Sequence, residues 1–458
     1  MVNVIQEAML KNIAGALDLS PDGLGRVGSS VGERLPSCFP VTEIAVASIS
    51  AASLALSELI GLNGGAPSVA VDYRLASLWF GFSIVPQGWT MPAPWDTIAG
   101  DYQCEDGWIK LHTNAPHHKA AALAVLGCPA SRDAVAHAVT NWQADALEQA
   151  IVEAGGCAAK LRERTEWKTH PQGKAVEQEA LFLSTPARAS AAWSWHPSPA
   201  RPLAGLRVLD LTRVLAGPVA TRFLAGFGAE VLRIDPPAWD EPGVIPEVTP
   251  GKRCARLDLH APADRQTFEQ LLSKADILVH GYRANALERL GYGADTRQAL
   301  RPGLIDVSLD AYGHSGPWSQ RRGFDSLVQF SSGIAAQGMA WKHAQAPVSL
   351  PVQALDHATG YLMAAAAIRG VIARCRGEAP VQYRLSLART AELLFAHASE
   401  PTDKPYGGII QDDLGSLSEH TSWGPALRVR PPMSIQGAPM RFGRPAAALG
   451  SGDAAWGE

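Results

Sequence analysis

One acidic residue, Asp356, lies at the start of a long apolar stretch where its carboxylate could do chemistry. An apolar run from Pro351 leads to it, and the small residues that follow predict a helix to about Arg376. Because aspartate has an ordinary pKa of about 3.9 and a helix N-terminus favours negative charge, we expect an anion at neutral pH. Such a carboxylate can attack an activated carbonyl without a partner base. The alternative is a residue that only caps its helix.

Basic residues at predicted strand ends and loops could bind a phosphorylated ligand. Arg213 follows an apolar strand predicted at 206–211, Lys252 and Arg253 stand in the sequence GKR, and Arg283 stands in GYRAN. Cations beside loop amides and helix starts suit phosphate groups. Taken singly, each of these residues is equally explained as a solvated surface charge.

Several segments between residue 202 and about residue 385 form a recognisable series, in the order PLAGLRVLDLTRVLAGPVATRFLAGFGAEVLRID, GKRCARLDL, ADILVHGYRANALERLGY, RPGLIDVSLDAYGHSGPW, RRGFDSLVQFSSGIA and ALDHATGY. The series resembles the family III CoA-transferases, the group of formyl-CoA transferase, carnitine CoA-transferase and α-methylacyl-CoA racemase. The resemblance implies an α/β fold in which a doubly wound parallel, Rossmann-like sheet domain is joined to a smaller α+β domain. It also implies that Asp356 is the nucleophile and that the basic residues above contact CoA.

The resemblance implies a transferase that moves CoA from an acyl-CoA to a small carboxylic acid. The carboxylate of Asp356 would form a mixed anhydride with the acyl group and then a thioester with CoA. No permanently bound cofactor and no metal are expected, because coenzyme A and acyl-CoA are substrates. Backbone amides at Ser332–Gly333 or Gly313 are candidates for stabilising the tetrahedral oxyanion.

A dinucleotide site is less favoured by the sequence. The turn after the first predicted strand lacks GxGxxG, since Gly217 is followed by proline and the pair Gly226 and Gly228 lies at a helix end. Asp235 ends the second predicted strand, where NAD enzymes carry a ribose-binding acid, but a strand-end loop acid explains it equally. Gly217 and Asp235 therefore remain candidates for contact with the nucleotide of CoA.

Two alternative functions stay open. Racemases of the family resemble this chain at the GxD motif but have histidine before the aspartate, whereas this chain has Phe324 before Asp325, and phenylalanine cannot carry a proton. His357 is next to Asp356, yet successive helical residues rarely face one another. The second alternative is a non-catalytic acyl-CoA-binding protein.

The order of predicted elements divides the chain into five parts. Residues 1–94 are helical, and Asp72 in SVAVDYRLASLWF can be laid over Asp356 as a degenerate duplicate of the nucleophile region, although two Asp-capped helices could also match by chance. Residues 95–183 form the small domain, 184–201 a linker that Trp193 and Trp195 could pin to a surface, 202–385 the CoA-binding domain and 386–458 a wrapping segment. The small domain thus precedes the sheet domain, the reverse of the usual family order, and we expect either a homodimer or a fused pseudo-dimer.

Composition narrows the function classes. The 458 residues carry a formal net charge of -4, which gives no electrostatic case for nucleic acid or an anionic membrane. We find no run of roughly 18 uncharged apolar residues and no signal-peptide pattern, and we expect a cytoplasmic protein.

The six cysteines are scattered without CxxC spacing, so reduced thiols are expected. The histidines His112, His117 and His118 lack the spacing of a metal site, so the sequence around them predicts a polar loop or the start of a helix.

Overall fold

The computed structural model describes residues 4–187, 193–282, 285–379 and 381–457. Its helices, in chain order, are α1 (Val4–Ala16), α2 (Pro21–Leu24), α3 (Val41–Gly61), α4 (Tyr73–Trp79), α5 (Pro116–Leu126), α6 (Arg132–Val139), α7 (Ala144–Glu153), α8 (Arg164–Thr169), α9 (Pro171–Gln178), α10 (Ala216–Gly226), α11 (Ile245–Val248), α12 (Pro262–Leu272), α13 (Ala286–Arg289), α14 (Ala294–Leu300), α15 (Asp325–Ser332), α16 (Ile334–Lys342), α17 (Ala354–Cys375) and α18 (Leu387–Phe395), with a 3₁₀ turn at Gln411–Asp413.

The strands are β1 (Val27–Ser29), β2 (Val69–Val71), β3 (Ile84–Pro86), β4 (Gly100–Gln103), β5 (Trp108–Leu111), β6 (Ala158–Lys160), β7 (Leu183–Pro186), β8 (Arg207–Leu211), β9 (Glu230–Asp235), β10 (Lys252–Arg256), β11 (Ile277–His280), β12 (Ile305–Asp310), β13 (Val381–Ser386), β14 (Glu419–Thr421), β15 (Gly424–Arg428) and β16 (Met433–Ile435).

The central sheet has seven strands in the order β10-β9-β8-β11-β12-β13-β7. The first six are parallel and β7 is antiparallel to β13. Counting from β8, the parallel strands follow the 3-2-1-4-5-6 order of doubly wound sheets. The predicted α/β fold with a doubly wound parallel sheet is therefore confirmed.

Successive side chains of β8 pack on opposite faces of this sheet. Val208 packs into the larger core with α10 and α17, whereas Leu209 and Leu211 pack on the other face with α12. The alternation follows from the two-residue period of side chains along a strand. The short apolar runs that form β8 and β9 are the signal from which these two strands were predicted correctly.

Helix α17 lies in the centre of the larger core. It contacts α3 on one side, α10 on another, and strands β12 and β13. Gly360 allows the close crossing with α10, since a Cβ built there would lie 2.4 Å from the carbonyl oxygen of Ala216. The helix that carries Asp356 is thus held on several sides by packed side chains.

Helix α3 is the most apolar long helix among the described residues. Within Val41–Gly61 the mean hydropathy of an 18-residue window reaches 1.7, so by length and composition this helix could cross a membrane, although Glu43 and Glu58 interrupt its uncharged run. In the structure 83% of its apolar window is buried inside the protein. Its apolar surface is therefore covered by the core, chiefly by α1 and α17.

The small domain consists of the antiparallel sheet β4-β5-β6 and helices α5 to α9. Strands β4 and β5 pair around the turn at Asp106–Gly107. The stretch 158–176 begins with β6 and then forms α8 and α9.

The two ends of the chain are joined by strand pairing. Strand β16 is antiparallel to β2, and β15 is antiparallel to β3, so the segment after residue 386 crosses to the N-terminal part. The predicted linker at 184–201 is partly regular, because β7 adds an edge strand to the main sheet. Trp193 stacks on Trp195 at 5.2 Å and lies 3.8 Å from the guanidinium of Arg374, as expected of a segment pinned to the surface.

Candidate active site

A cleft of ≈ 370 Å³ lies at the carboxyl ends of the parallel strands. It opens between β8 and β11, where the strand order reverses, and is lined there by Arg213, Val214, Gly281 and Tyr282. Open α/β sheets bind ligands at this point because the loops on its two sides diverge. The small domain closes another side with His118, at the start of α5. The cleft is therefore a domain interface, a common place for a ligand site.

Asp356 lines this cleft from the first turn of α17. Its residue exposure is 8%, and in the part of the chain that the structure describes no hydrogen bond reaches its carboxylate oxygens. Asp356 is therefore not a local cap, which was the alternative to a catalytic role. The exposed Asp72 does form such a cap, since its Oδ1 accepts from the backbone N of Leu75 at 2.9 Å. The proposed duplication of the nucleophile region remains a prediction.

A second acid, Asp325, supplies the missing cap of α17. Its Oδ2 accepts a hydrogen bond from the backbone N of Asp356 at 2.9 Å, and its Oδ1 accepts from Nε2 of Gln329 at 2.5 Å. Gln329 in turn accepts from the backbone N of Leu350 at 2.7 Å. This chain of bonds fixes the first turn of α17 relative to α15.

Burial raises the pKa of both acids. For Asp356 the second cause is the negative charge of Asp325, whereas Asp325 receives N–H donors that favour its ionised form. The pKa of Asp356 is therefore raised the more strongly. The expectation of an ordinary pKa for Asp356 is wrong, because it did not include this burial and this neighbour.

Arg213 is the predicted cation that the structure brings to the cleft. Its guanidinium lies between two aromatic rings, 4.4 Å from the centre of Trp239 and 4.8 Å from that of Tyr282. Its Nε is buried without a hydrogen-bond partner among the described residues. Such stacking holds the plane of the guanidinium while leaving donors for an anionic ligand.

Lys252 and Arg253 are placed differently from what the sequence suggested. Both lie at the amino end of β10, whereas the cleft lies at the carboxyl ends of the strands. Lys252 is buried and its Nζ lies 3.0 Å from Oδ2 of Asp210 and 2.7 Å from Oγ1 of Thr221. Arg253 donates to the carbonyl oxygen of Ala455 at 2.6 Å. Neither lines the cleft; Arg283 lies outside the described residues.

Asp235 and Gly217 lie near the cleft but do not line it. Asp235 is buried at the end of β9, and its Oδ2 accepts from Nε of Arg233 at 2.8 Å. A Cβ at Gly217 would lie 2.3 Å from Cγ2 of Thr212, so this glycine allows the start of α10 to pack against the loop after β8. Both residues thus support the walls of the cleft.

Asp325, Arg322 and Asp310 were not identified from the sequence as site residues. Asp325 was considered only as the neighbour of Phe324, and it lies beneath the cleft against the backbone of Asp356. Arg322, which lines the cleft, precedes that motif. Asp310 ends β12, lines the cleft and has its pKa raised to about 6 by burial. Its Oδ2 lies 3.3 Å from Nδ1 of His314. A polar residue that directly follows a buried strand was the only signal in the sequence for Asp310.

The residues considered as oxyanion donors and as a second proton carrier do not line the cleft. Ser332, Gly333 and Gly313 do not line it among the described residues, so they are not placed to donate to an oxyanion there. His357 stacks on Phe80 at 5.1 Å inside the core, and burial lowers its pKa to about 3. Among the described residues no group of three or more His, Cys, Asp or Glu is placed to hold a metal ion.

Comparison with known proteins identifies the part of the chain that builds this cleft. Residues 203–412 match the family model of CoA-transferase family III. The matching segment covers slightly less than half of the chain and is similar to that family. It includes Arg213, Asp325 and Asp356, together with both loops of the strand-order reversal.

Individual proteins are similar to parts of this chain. An acyl-CoA transferase of Gibberella moniliformis is 28% identical over 71% of this chain and 60% of its own length. The "Probable fatty acyl-CoA transferase Rv3272" of Mycobacterium tuberculosis is 32% identical over 45% of this chain and 57% of its own length. A crystal structure of Rv3272 gives a TM-score of 0.40 over 43% of this chain and 58% of the other. The chain thus spans little more than half the length of these relatives.

Proposed function

We propose that the protein is a family III CoA-transferase, which moves CoA from an acyl-CoA to a carboxylic acid. The observation that carries this proposal is the position of Asp356, at a helix start and facing a cleft at the strand-order reversal. The match of residues 203–412 to the family and the printed names of the relatives support the same activity.

In the first half of the proposed reaction, an oxygen of the Asp356 carboxylate attacks the thioester carbonyl carbon. The C–S bond breaks, a mixed anhydride forms, and CoA leaves as a thiolate. The thiolate then attacks the side-chain carbonyl carbon of Asp356, which releases the first acid as a carboxylate and leaves an aspartyl–CoA thioester. The acceptor carboxylate reverses these steps and restores the Asp356 carboxylate.

The surrounding residues suit these steps. Arg213 and Arg322 offer positive charge for the phosphate groups of CoA at the cleft wall. Asp325 accepts from the backbone of Asp356 and so fixes the start of α17, which orients the nucleophile. Apolar residues of the cleft, such as Ile234, Leu257 and Leu387, limit the access of water to an anhydride.

Intact-mass spectrometry after incubation with a series of acyl-CoAs tests this proposal. In the wild-type protein we expect the mass to increase by the mass of CoA less one water. In Asp356→Ala and Asp356→Asn we expect no increase in mass. The matched control is Asp72→Ala, which removes an exposed helix-capping aspartate outside the cleft and should leave the adduct unchanged. An adduct that persists in both Asp356 variants would overturn the proposal.

A further inference from the structure

A second cavity adjoins the active-site cleft, and four of its lining residues, Trp95, His112, Trp239 and Phe324, have aromatic rings. This aromatic chamber of ≈ 220 Å³ is lined by Trp95, His112, Val214, Trp239 and Phe324, among others. The last three of these also line the cleft, so the two cavities share one wall. The chamber lies between the small domain and the loop after β9.

The shared wall is connected directly to the nucleophile. Phe324 immediately precedes Asp325, whose carboxylate accepts from the backbone of Asp356. Val214 has φ +63°, a left-handed conformation that is unusual for a β-branched residue, and its backbone N donates to Oε2 of Glu241 at 2.8 Å. Strain held in place by a specific bond is found most often at functional sites.

The aromatic residues give one side of the chamber a flat, uncharged surface. The ring of His112 stacks on Phe324 with centroids 3.7 Å apart, and Trp95 lies against His112 at 5.8 Å. Burial, followed by the neighbouring His118, lowers the pKa of His112 to about 3, so its ring is neutral. Trp95 remains 44% exposed and forms the outer edge of this surface. Aromatic walls of this kind bind flat apolar groups well.

The charges around the chamber are negative. Asp96, Asp240 and Glu241 line it, and no lysine or arginine is found among its described lining residues. Asp96 is paired with Lys119, and Glu241 with Arg233, so these carboxylates are held in place. A second carboxylate on a bound acyl group would enter here without a cationic partner, which is costly. The arginines that suit the phosphates of CoA line the cleft instead.

We propose that the aromatic chamber binds the acyl group, and that it selects monocarboxylic acids with a flat apolar substituent over dicarboxylic acids. This inference rests on the proposed CoA-transferase function and adds the class of acid that is transferred. Burying a carboxylate without a partner costs more than a mismatch of one methylene in an apolar pocket.

The test compares adduct formation from phenylacetyl-CoA, acetyl-CoA and succinyl-CoA, again by intact mass. We expect phenylacetyl-CoA to label the wild-type protein at least about ten-fold faster than succinyl-CoA. Trp95→Ala should lower the ratio of phenylacetyl-CoA to acetyl-CoA rates about ten-fold, and Trp95→Arg should raise the ratio of succinyl-CoA to phenylacetyl-CoA rates. The control is Leu417→Ala, which truncates an apolar residue that is 85% exposed and outside both cavities.

The outcomes separate this inference from the proposed function. If succinyl-CoA labels Asp356 as fast as phenylacetyl-CoA, or if the Trp95 variants leave both ratios unchanged, the inference is overturned while the transferase stands. The polar cavity on the other side of Asp310 would then be the acyl site, and Arg384→Ala in that cavity would lower the succinyl-CoA rate. If no acyl-CoA labels the protein, the proposed function and the inference fail together.

Discussion

Asp325 caps the helix that carries Asp356, through a hydrogen bond of 2.9 Å from the backbone N of Asp356 to Oδ2 of Asp325. The capping group is thus itself a carboxylate, and it lies against the residue proposed as the nucleophile. The bond orients Asp356, while the negative charge of Asp325 makes Asp356 harder to ionise. One residue therefore fixes the position of Asp356 and also raises its pKa.

The rate of adduct formation should rise with pH. Only ionised Asp356 can attack, and burial and Asp325 raise its pKa, so the reactive fraction grows as the pH increases. Asp325→Asn keeps an oxygen that can accept from the helix but removes the charge, so we expect the midpoint of the profile to move to lower pH. The measurement is the single-turnover rate of CoA attachment between pH 5 and 9. A profile without pH dependence in the wild-type protein would contradict this prediction.

The same variant should change how stability depends on pH. Because the pKa of Asp325 in the folded state is raised, the folded state holds its proton where the unfolded state has lost it. The wild-type protein should therefore lose stability relative to Asp325→Asn as the pH rises above the ordinary carboxyl pKa of about 3.9. Denaturation of both proteins at several pH values measures the difference. A wild-type protein that gained stability relative to the variant would show that the sign is wrong.

Gly360→Ala should destabilise the protein. The added Cβ would meet the carbonyl oxygen of Ala216 at 2.4 Å and side-chain atoms of Val219 at 2.9 Å, where two helices cross. Overpacking of this kind costs about 1–3 kcal/mol, measured by chemical denaturation. Gly15→Ala is the matched control, because no atom lies within 4 Å of its Cβ and the residue is in α1, so a gain of about 0.4–1 kcal/mol is expected. Equal effects of the two substitutions would contradict the close crossing.

Most of the sheet could be predicted from the sequence, and the partners of its charged residues could not. A buried strand such as 207–211 is a short apolar run in the sequence, so its prediction needs only the local pattern of residues. Lys252 appeared to be a loop cation because its partner, Asp210, lies 42 residues earlier in the chain. In the same way β7 was assigned to a linker, since its pairing with β13 spans most of the sheet domain.

Two residues singled out from the sequence, Asp356 and Arg213, line the cleft. The family resemblance marks the motifs of both, and their roles stay predictions. Asp325 was missed because its contact with Asp356 joins two helices that are far apart in the sequence, and the pKa of Asp356 was misjudged for the same reason. Contacts between distant segments determine burial and charge, and a single sequence does not contain them.

Arg213 and Arg253 should respond differently to substitution. Arg213 lines the cleft with a buried donor free of a partner among the described residues, so Arg213→Ala should weaken CoA binding about 10- to 100-fold. Arg253→Ala removes a similar charge at the opposite end of the sheet and should leave CoA affinity unchanged. Isothermal titration of both variants with CoA makes the comparison. A larger loss in Arg253→Ala would place the phosphates of CoA at the amino ends of the strands.

Lys252→Met should reduce stability and leave CoA affinity unchanged. The ammonium group of Lys252 lies 3.0 Å from Oδ2 of Asp210, and both side chains are fully buried. Its removal leaves the Asp210 carboxylate without its cationic partner, which should lower the free energy of unfolding by about 3–5 kcal/mol. Adding Asp210→Asn neutralises that carboxylate, and the double variant should recover part of the lost free energy of unfolding. Chemical denaturation and CoA titration of both variants separate a structural role from a binding role. Weaker CoA binding with unchanged stability would mean that Lys252 contacts the ligand, as its motif first suggested.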